Sequence, residues 1–463
     1  MKYKGNSIMR SFIEEKKYRV RDIKYDYFDS QITNTKTEYW CRGLILTSCF
    51  LFACALAVVC VALYQHRTWH NSNTSGNVPS RVAERVISCY YNMPSEHATD
   101  QLMPSGINPN LCTHINLAFA QVASNEIRLD PYQYHTIAEV VKLKQTNPAL
   151  KILVSVGGAG TDKGFPDMVL NHKSRKTFIK SVKYLLRNYS LDGIDLDWEF
   201  PALHNALGGG RERQHFSQLL REIRMEYIRE KRDYLLTVAA AAPEAIVDIS
   251  YDVDQLNLYV DYVNIMTYDF HFFTKYTPFT GLNSPLYPRS TEQLYLATLN
   301  INYTIHMYLD KGLDRNKIVV GIPTYGHTFS LVNVDNHQVS SPASGVGSLG
   351  SLGFINYPDV CSFVTNTENV TITRDNEAKV SYLYKNKEWV SYDDPQSVME
   401  KAKFIIENKL GGAMIYSLNA DDYKGECRGA LTRAEIGGFP LAKTVSKTLK
   451  SHISSSEQNV SLV

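Results

Sequence analysis

The chain has 463 residues, of which 44% are hydrophobic and 21% charged, as expected for a globular protein with one large domain and an appendage. The net charge of +2 and the lack of a block of like charge argue against a basic groove for nucleic acid, and they make polyanions poor candidates for a substrate. Composition narrows the class of protein without assigning a function.

Residues 43–64 form an uncharged apolar run that predicts one transmembrane helix, because at about 1.5 Å per residue it covers roughly 30 Å of hydrocarbon. A cleaved signal peptide is the alternative, but its apolar core would be about 7 to 15 residues long and close to the N-terminus. Residues 1–42 contain ten Lys and Arg, whereas Arg67 is the only one in residues 65–80. The positive-inside rule therefore predicts a cytoplasmic tail, an anchor in the lipid bilayer and type II topology, with the rest of the chain extracellular or lumenal.

Residues 65–83 are rich in Ser, Asn, Gly and Pro and predict a flexible stalk, so the folded unit is expected over residues 84–445. Residues 446–463 lack a core pattern and are expected to be a frayed tail. On the type II topology five sequons become available for glycosylation, and we expect some of them to be used: Asn73, Asn188, Asn302, Asn369 and Asn459.

The eight cysteines fall into two groups. Four lie in or beside the apolar run, and the other four lie downstream, at Cys89, Cys112, Cys361 and Cys427. An even downstream set fits two disulfides in an oxidising compartment, and four reduced buried thiols are the alternative.

Short β-branched or apolar segments alternate with helical stretches along the folded unit. Eight of them are candidate strands: RVISCYY, HINLAFA, KILVSV, GIDLDWEF, LLTVAAAA, YVNIMTY, KIVVGIP and GAMIYSL. Intervening segments such as 132–146 and 175–189 repeat apolar residues at three and four, which favours parallel strands joined by crossover helices. We predict an α/β fold of the (β/α)8 TIM barrel class, with a small α+β insertion over about 332–393, before the last strand.

The segment YSLDGIDLDWEFP carries acidic residues at alternate positions. Residues two apart in a strand share a face, so Asp195, Asp197 and Glu199 point the same way at intervals of about 6.6 Å, toward the interior of a closed barrel. Burying three acids costs on the order of several kcal/mol and raises the pKa of at least one, so they predict a reactive site. Acids facing solvent on an edge strand and a metal site are the alternatives, and no His lies at a ligand spacing nearby.

The sequence DGIDLDWEFP resembles the DGxDxDWEYP signature of family 18 of the glycoside hydrolases, the chitinase family, and the resemblance extends over about 85–441. Further matching segments follow in chain order. They are CYY at 89–91, CTHINLAFA at 112–120, the SxGG of Ser155, Gly157 and Gly158, MTYD at 266–269, TGLNSPLY at 280–287, VVGIPTYG at 319–326 and GGAMIYSLNADDY at 411–423.

This resemblance implies retaining, substrate-assisted hydrolysis of β-1,4-linked N-acetylglucosamine in chitin or chito-oligosaccharides, with no cofactor and no metal. Glu199 would protonate the leaving oxygen, while the acetamido group of the substrate attacks the anomeric carbon. Asp197 would hold the acetamido N–H and share a proton with Asp195, and Tyr268 would donate to the acetamido oxygen. The resemblance also implies a substrate-binding role for Tyr90, Phe119, Gly157, Gly158, Phe200, Met266, Asp269, Tyr325 and Tyr416.

The family pattern pairs Cys89 with Cys112 and Cys361 with Cys427. The sequence departs from the usual pattern at four positions, where Ala159 and Tyr416 replace Trp, Phe200 replaces Tyr and His327 replaces Arg. Losing a stacking platform or a charge-assisted hydrogen bond would weaken sugar binding by about 1 to 2 kcal/mol. None of these changes touches the carboxylates.

A chitinase-like lectin that binds N-acetylglucosamine glycans without cleaving them is the alternative function. Such proteins typically have another residue in place of the catalytic acid, so the intact Glu199 favours catalysis. We expect the barrel to be a monomer. A signalling role for the tyrosine-rich segment 18–29 is a third hypothesis, for which a solvated tail is the simpler interpretation.

Overall fold

The computed structural model describes residues 85–97, 100–161, 163–203, 211–427 and 438–460, with side chains as far as residue 451. The strands in these ranges are β1 (Val86–Asn92), β2 (His114–Ala123), β3 (Glu126–Arg128), β4 (Lys151–Gly157), β5 (Gly193–Asp197), β6 (Leu235–Ala241), β7 (Tyr262–Met266), β8 (Ile318–Pro323), β9 (Tyr325–Leu331), β10 (Ala343–Gly345), β11 (Phe354–Asn356), β12 (Thr371–Asp375), β13 (Val380–Lys385), β14 (Glu388–Tyr392) and β15 (Gly412–Tyr416).

Eight parallel strands close into a barrel in the order β1-β2-β4-β5-β6-β7-β8-β15, and β1 pairs with both β2 and β15. Each of the eight segments predicted as a strand forms one of them. The register sets Asp195 of β5 directly between Ser155 of β4 and Thr237 of β6. Residues at this level therefore face one another across the barrel interior.

The α-helices are α1 (Pro131–Val141), α2 (Phe165–Val169), α3 (His172–Asn188), α4 (Glu212–Arg229), α5 (Glu244–Ser250), α6 (Val253–Tyr259), α7 (Ile301–Asp310), α8 (Tyr357–Asn366), α9 (Pro395–Glu407) and α10 (Pro440–Val460). The crossover α3 illustrates why they form. Asn171 accepts a hydrogen bond from the Ser174 N–H in a capping box, and the apolar residues repeated at three and four, among them Phe178, Val182 and Leu185, are buried.

The insertion is an antiparallel sheet of six strands in the order β10-β9-β14-β13-β12, with β11 paired to β9, and it carries helix α8. It has its own apolar core, which includes Phe329, Leu331 and Trp389. Its first strand begins at Tyr325, immediately after β8 ends at Pro323, and not at about residue 332 as predicted. Only Thr324 separates β8 from β9, so no loop-like segment in the sequence marks the change of sheet.

The cysteines pair as the resemblance implies. Cys89 is bonded to Cys112, and Cys361 at helix α8 is bonded to Cys427 in the segment after β15. The first disulfide therefore links strand β1 to the segment before β2, and the second links the insertion to the barrel.

Helix α10 continues past residue 445 to Val460, into the segment expected to be a frayed tail. Leu449 in that segment is buried, together with Leu441 and Val445 at intervals of four. The expectation of a tail from residue 446 is therefore corrected, because apolar residues at helical spacing hold this part of the chain on the core.

Within the described ranges, no helix is both long enough and apolar enough to cross a membrane. The predicted cytoplasmic tail, transmembrane helix and stalk all lie outside the described residues.

Candidate active site

The acidic row of β5 lies where the carboxyl ends of the barrel strands meet. Asp195 and Asp197 are buried within the strand, and Glu199 follows its end and is half-buried. Between them, Trp198 points the other way and stacks on Phe165 in the apolar core, with the ring centroids 5.2 Å apart. The predicted alternation is therefore seen for Asp195 and Asp197, whose carboxyl groups lie inside the barrel, and Glu199 follows at the end of the strand.

Asp195 is held by donors from four other strands. Its Oδ2 accepts hydrogen bonds from Tyr90 Oη and Ser155 Oγ, both at 2.7 Å. Its Oδ1 accepts from Thr237 Oγ1 at 2.6 Å and from Asn264 Nδ2 at 3.2 Å. Burial raises the pKa of Asp195 and these four hydrogen bonds oppose the rise, so the site fixes the position of this carboxyl group while moderating the cost of its charge.

Asp197 has a different environment. Its pKa lies well above the usual range because of burial first, and then because of the nearby charges of Glu199 and Asp195. No described residue offers a hydrogen bond to its buried Oδ1. The arrangement favours a proton on Asp197 next to the better-supported Asp195, as expected for carboxyl groups that share one proton.

Tyrosines form one wall of the site above the carboxyl groups. Tyr268, which follows β7, places its Oη 3.7 Å from Met414 Sδ and its ring 5.8 Å from that of Tyr416. The Tyr416 ring is also 5.5 Å from Tyr90. Burial raises the pKa of Tyr268 well above its usual value, so the phenol keeps its proton and can donate a hydrogen bond.

Asp269 is the centre of a second cluster at the same edge of the barrel. Its Oδ1 accepts a hydrogen bond from Tyr325 Oη at 2.6 Å and lies 2.7 Å from His327 Nε2, while its backbone N–H donates to Asn283 Oδ1 at 2.9 Å. His327, at the position where Arg is common, is buried against this carboxylate. The shorter side chain therefore still contacts Asp269.

Gly157 and Gly158 bring the backbone close to the carboxyl strand. A Cβ at Gly157 would lie 2.1 Å from the carbonyl oxygen of Asp197, and a Cβ at Gly158 would lie 2.8 Å from the Phe119 ring. Both have positive φ, at 109° and 84°. Packing and backbone conformation therefore favour glycine at both positions, independently of any contact with substrate.

Most of the aromatic residues predicted to bind substrate lie in one apolar cluster. Tyr90 and Tyr325 belong to it together with the predicted catalytic Tyr268, and other predicted residues pack against it: Phe119, Met266 and Tyr416. Phe200 packs instead against the main core, and the substituted Ala159 is exposed. The predicted residues are therefore brought together at one end of the barrel, except that Phe200 faces the core.

Thr237, Asn264 and Asn283 were not singled out by the sequence analysis, although the first two bind Asp195 and the third binds Asp269. In the sequence, Thr237 and Asn264 are visible only as polar residues inside apolar strands, and Asn283 is visible only as a polar residue of the segment TGLNSPLY. In the described part of the chain, no group of three or more His, Cys, Asp or Glu side chains is arranged to hold a metal ion.

Comparison with known proteins gives consistent matches. The profile of the glycosyl hydrolases family 18 matches residues 86–421. Mouse (Mus musculus) chitotriosidase-1 is 34% identical over 406 residues, which is 84% of this chain and 82% of that protein. The crystal structure of the Ostrinia furnacalis Group IV chitinase in complex with allosamidin superimposes with a TM-score of 0.73 at 31% identity, covering 79% of this chain and 99% of that one. Human YKL-39, described as a pseudo-chitinase with retained chitooligosaccharide binding, superimposes with a TM-score of 0.72 at 33% identity, covering 79% and 100%.

Proposed function

Because the chain belongs to the glycosyl hydrolases family 18, in which chitinases and pseudo-chitinases share one fold, we propose that it hydrolyses β-1,4-linked N-acetylglucosamine in chitin or chito-oligosaccharides. The observation that carries this proposal is the carboxyl row itself. An intact Glu199 stands at the mouth of the barrel, beside a buried pair, Asp195 and Asp197, of which one favours a proton.

The proposed mechanism uses each environment in turn. Glu199 is half-buried at the strand end, where it can meet a glycosidic oxygen and donate a proton to it. The acetamido carbonyl of the substrate attacks the anomeric carbon, and Tyr268 donates to that carbonyl oxygen. Asp197 passes its proton to Asp195. The resulting Asp197 carboxylate accepts a hydrogen bond from the acetamido N–H, and its negative charge offsets the positive charge of the intermediate. Water activated by Glu199 then opens the oxazolinium ring that this attack has formed, with retention of configuration at the anomeric carbon.

A lectin that binds chito-oligosaccharides without cleaving them is the second candidate. The similarity to YKL-39 favours it, as does Ala159, which leaves the loop after β4 without the aromatic side chain expected there. The intact Glu199 is the reason to place hydrolysis first.

We further propose that residues 43–64 anchor the chain in a bilayer as a type II membrane protein, and that the barrel acts as a monomer. The support is the charge asymmetry of the flanking segments and the two disulfides, which form in oxidising compartments. Protease added outside intact cells should digest the barrel and leave residues 1–42 protected. Digestion of that tail from outside would contradict the topology.

The test of hydrolysis measures product release from labelled N-acetylglucosamine tetramer by the full chain. A Glu199→Gln variant should lose about 10² to 10⁴-fold in rate, because it lacks the proton donor, and should still bind the tetramer. The matched control is Asp233→Asn, which changes an exposed carboxylate just before β6, at the opposite end of the barrel, and should leave the rate unchanged. If wild type binds the tetramer but releases no product, the lectin is the correct function. Equal turnover by wild type and Glu199→Gln would contradict the assigned acid.

A further inference from the structure

The barrel interior is polar beneath the carboxyl row, toward the amino ends of the strands, where closed barrels are usually filled by branched apolar side chains. Ser88 on β1, Asn116 on β2, and Tyr262 and Asn264 on β7 lie there, and none of them is more than 4% exposed. Tyr262 and Asn264 are two residues apart, so their side chains share the inward face of the strand. We call these four side chains the floor cluster.

Contacts across the barrel bring the members of the floor cluster together. Asn116 Nδ2 donates a hydrogen bond to Ser88 Oγ at 2.8 Å, between neighbouring strands. Tyr262 reaches these strands from the opposite side of the barrel, because its ring lies 5.4 Å from that of His114, which precedes Asn116 by two residues on the same face of β2. Burial raises the pKa of Tyr262, and a contact with the Ser88 hydroxyl opposes the rise, so the phenol keeps its proton.

Asn264 links the floor cluster to the reactive centre. Its Nδ2 lies 3.2 Å from Asp195 Oδ1 and 3.4 Å from Tyr90 Oη. The Tyr90 hydroxyl in turn donates to the other oxygen of the Asp195 carboxylate at 2.7 Å. Hydrogen bonds therefore connect this carboxylate with the polar groups beneath it.

Three atoms of the floor cluster have unused capacity for hydrogen bonds. No described residue makes a well-aligned hydrogen bond to Asn116 Oδ1, Tyr262 Oη or Asn264 Oδ1. Buried polar groups in folded proteins are nearly always paired, either with protein or with ordered water. A buried water molecule typically makes about three hydrogen bonds to such groups. Because all members of the floor cluster are uncharged, they suit water better than an ion.

We propose that the floor cluster binds ordered water beneath Asp195, and that this water assists the transfer of a proton from Asp197 to Asp195. The inference rests on the proposed function and deepens it. Donors alone surround Asp195, so when it gains the proton one of its hydroxyl partners must turn its own hydrogen away. The Tyr90 hydroxyl can donate to the water, which donates its hydrogens to Asn116 Oδ1 and Asn264 Oδ1. No hydrogen leaves the site, and only the proton of Asp197 changes its carboxyl group.

Two variants remove polar atoms of the water site with little change of shape, Tyr262→Phe and Asn116→Leu. A crystal structure of the full chain should show ordered water bonded to Tyr262 Oη and Asn116 Oδ1, and each variant should lose it. With N-acetylglucosamine tetramer as substrate, each variant should lower kcat about tenfold and leave KM within about twofold, because the floor cluster positions a proton and does not contact the sugar.

The matched control is Tyr227→Phe. It removes a hydroxyl that is equally buried and also has no described hydrogen-bond partner, but that belongs to helix α4, outside the barrel interior. It should change neither kcat nor KM. The ratio of kcat in H2O to kcat in D2O separates a slower proton transfer from a loss of correctly folded protein. That ratio should rise in Tyr262→Phe and Asn116→Leu, whereas a smaller fraction of active protein would leave it unchanged.

A floor cluster without ordered water, or variants with unchanged kcat or an unchanged isotope ratio, would overturn the inference. An equal fall of kcat in Tyr227→Phe would also overturn it, since loss of any buried hydroxyl would then have the same effect. Ordered water that both variants lose, in a chain without turnover, would refute hydrolysis and the assisted proton transfer and leave the water-binding site established.

Discussion

Replacing Asp197 by asparagine should abolish activity and at the same time stabilise the fold. The carboxyl group is buried, its charged form is disfavoured by burial and by Glu199 and Asp195, and no described residue bonds its Oδ1. The group therefore stays protonated in the folded chain at a pH where the unfolded chain releases the proton. This costs about 1.4 kcal/mol for each pH unit between the two pKa values, whereas the asparagine amide is neutral in both states. We therefore expect the free energy of unfolding at neutral pH to rise by about 1 to 3 kcal/mol, a trade of stability against function at an active site.

The gain should depend on pH with a defined sign. The folded-state pKa of Asp197 is raised above the unfolded value of about 3.9, so the wild type loses stability as the pH rises from that value to the folded-state pKa. Asparagine does not titrate and has no such loss. The difference between variant and wild type should be near zero below about pH 4 and should grow above it.

The measurement is denaturant unfolding of the full chain followed by tryptophan fluorescence, to which Trp198, stacked on Phe165, contributes a core signal. The matched control is Asp195→Asn, the same change two residues away on the same strand. It should destabilise the fold by about 1 to 3 kcal/mol, because an amide N–H2 would face hydroxyl and amide donors. An Asp197→Asn variant no more stable than wild type at neutral pH, or a gain unchanged in acid, would refute the reasoning.

Two further changes test the packing around the site. Gly157→Ala should lower the free energy of unfolding by more than about 2 kcal/mol, because its Cβ would meet the Asp197 carbonyl oxygen at 2.1 Å, and thermal unfolding would detect it; an unchanged midpoint would contradict the described packing. Lys401→Met should cost about 3 to 5 kcal/mol, because it leaves Asp393 buried without the cation 2.7 Å away, whereas adding Asp393→Leu should recover part of the loss. Denaturant unfolding of the single and double variants measures both losses of stability. Equal losses in the two variants would contradict this account of the buried ion pair.

The barrel strands could be predicted because each is a short run of β-branched and apolar residues bounded by polar segments. The carboxyl row could be predicted because acids at alternate positions of a strand have few structural uses. The donors to Asp195 were harder to predict, since a single Thr237 or Asn264 in an apolar strand has several meanings. Only the register across closed strands brings them to one carboxylate.

The start of the insertion and the last helix show a different limit. Only Thr324 separates Pro323 from Tyr325, so no loop-like segment in the sequence shows that the chain leaves one sheet there and enters another. Residues after 445 are mostly polar, which hides the fact that Leu449 continues the spacing of an amphipathic helix. In both cases the deciding interaction is tertiary packing, which a short window of sequence does not contain.

The four hydrogen bonds on Asp195 also bear on how the chain folds. The bond from Tyr90 joins residues 105 apart in sequence, and the bond from Asn264 joins residues 69 apart. A chain still emerging from the ribosome therefore lacks the β7 donor until well after β5 has been made, and loop closure of this length is slow. Asp195 has all four donors only when β1, β4, β6 and β7 are in place around β5. We therefore expect the reactive centre to form late in folding, together with the contacts between distant strands.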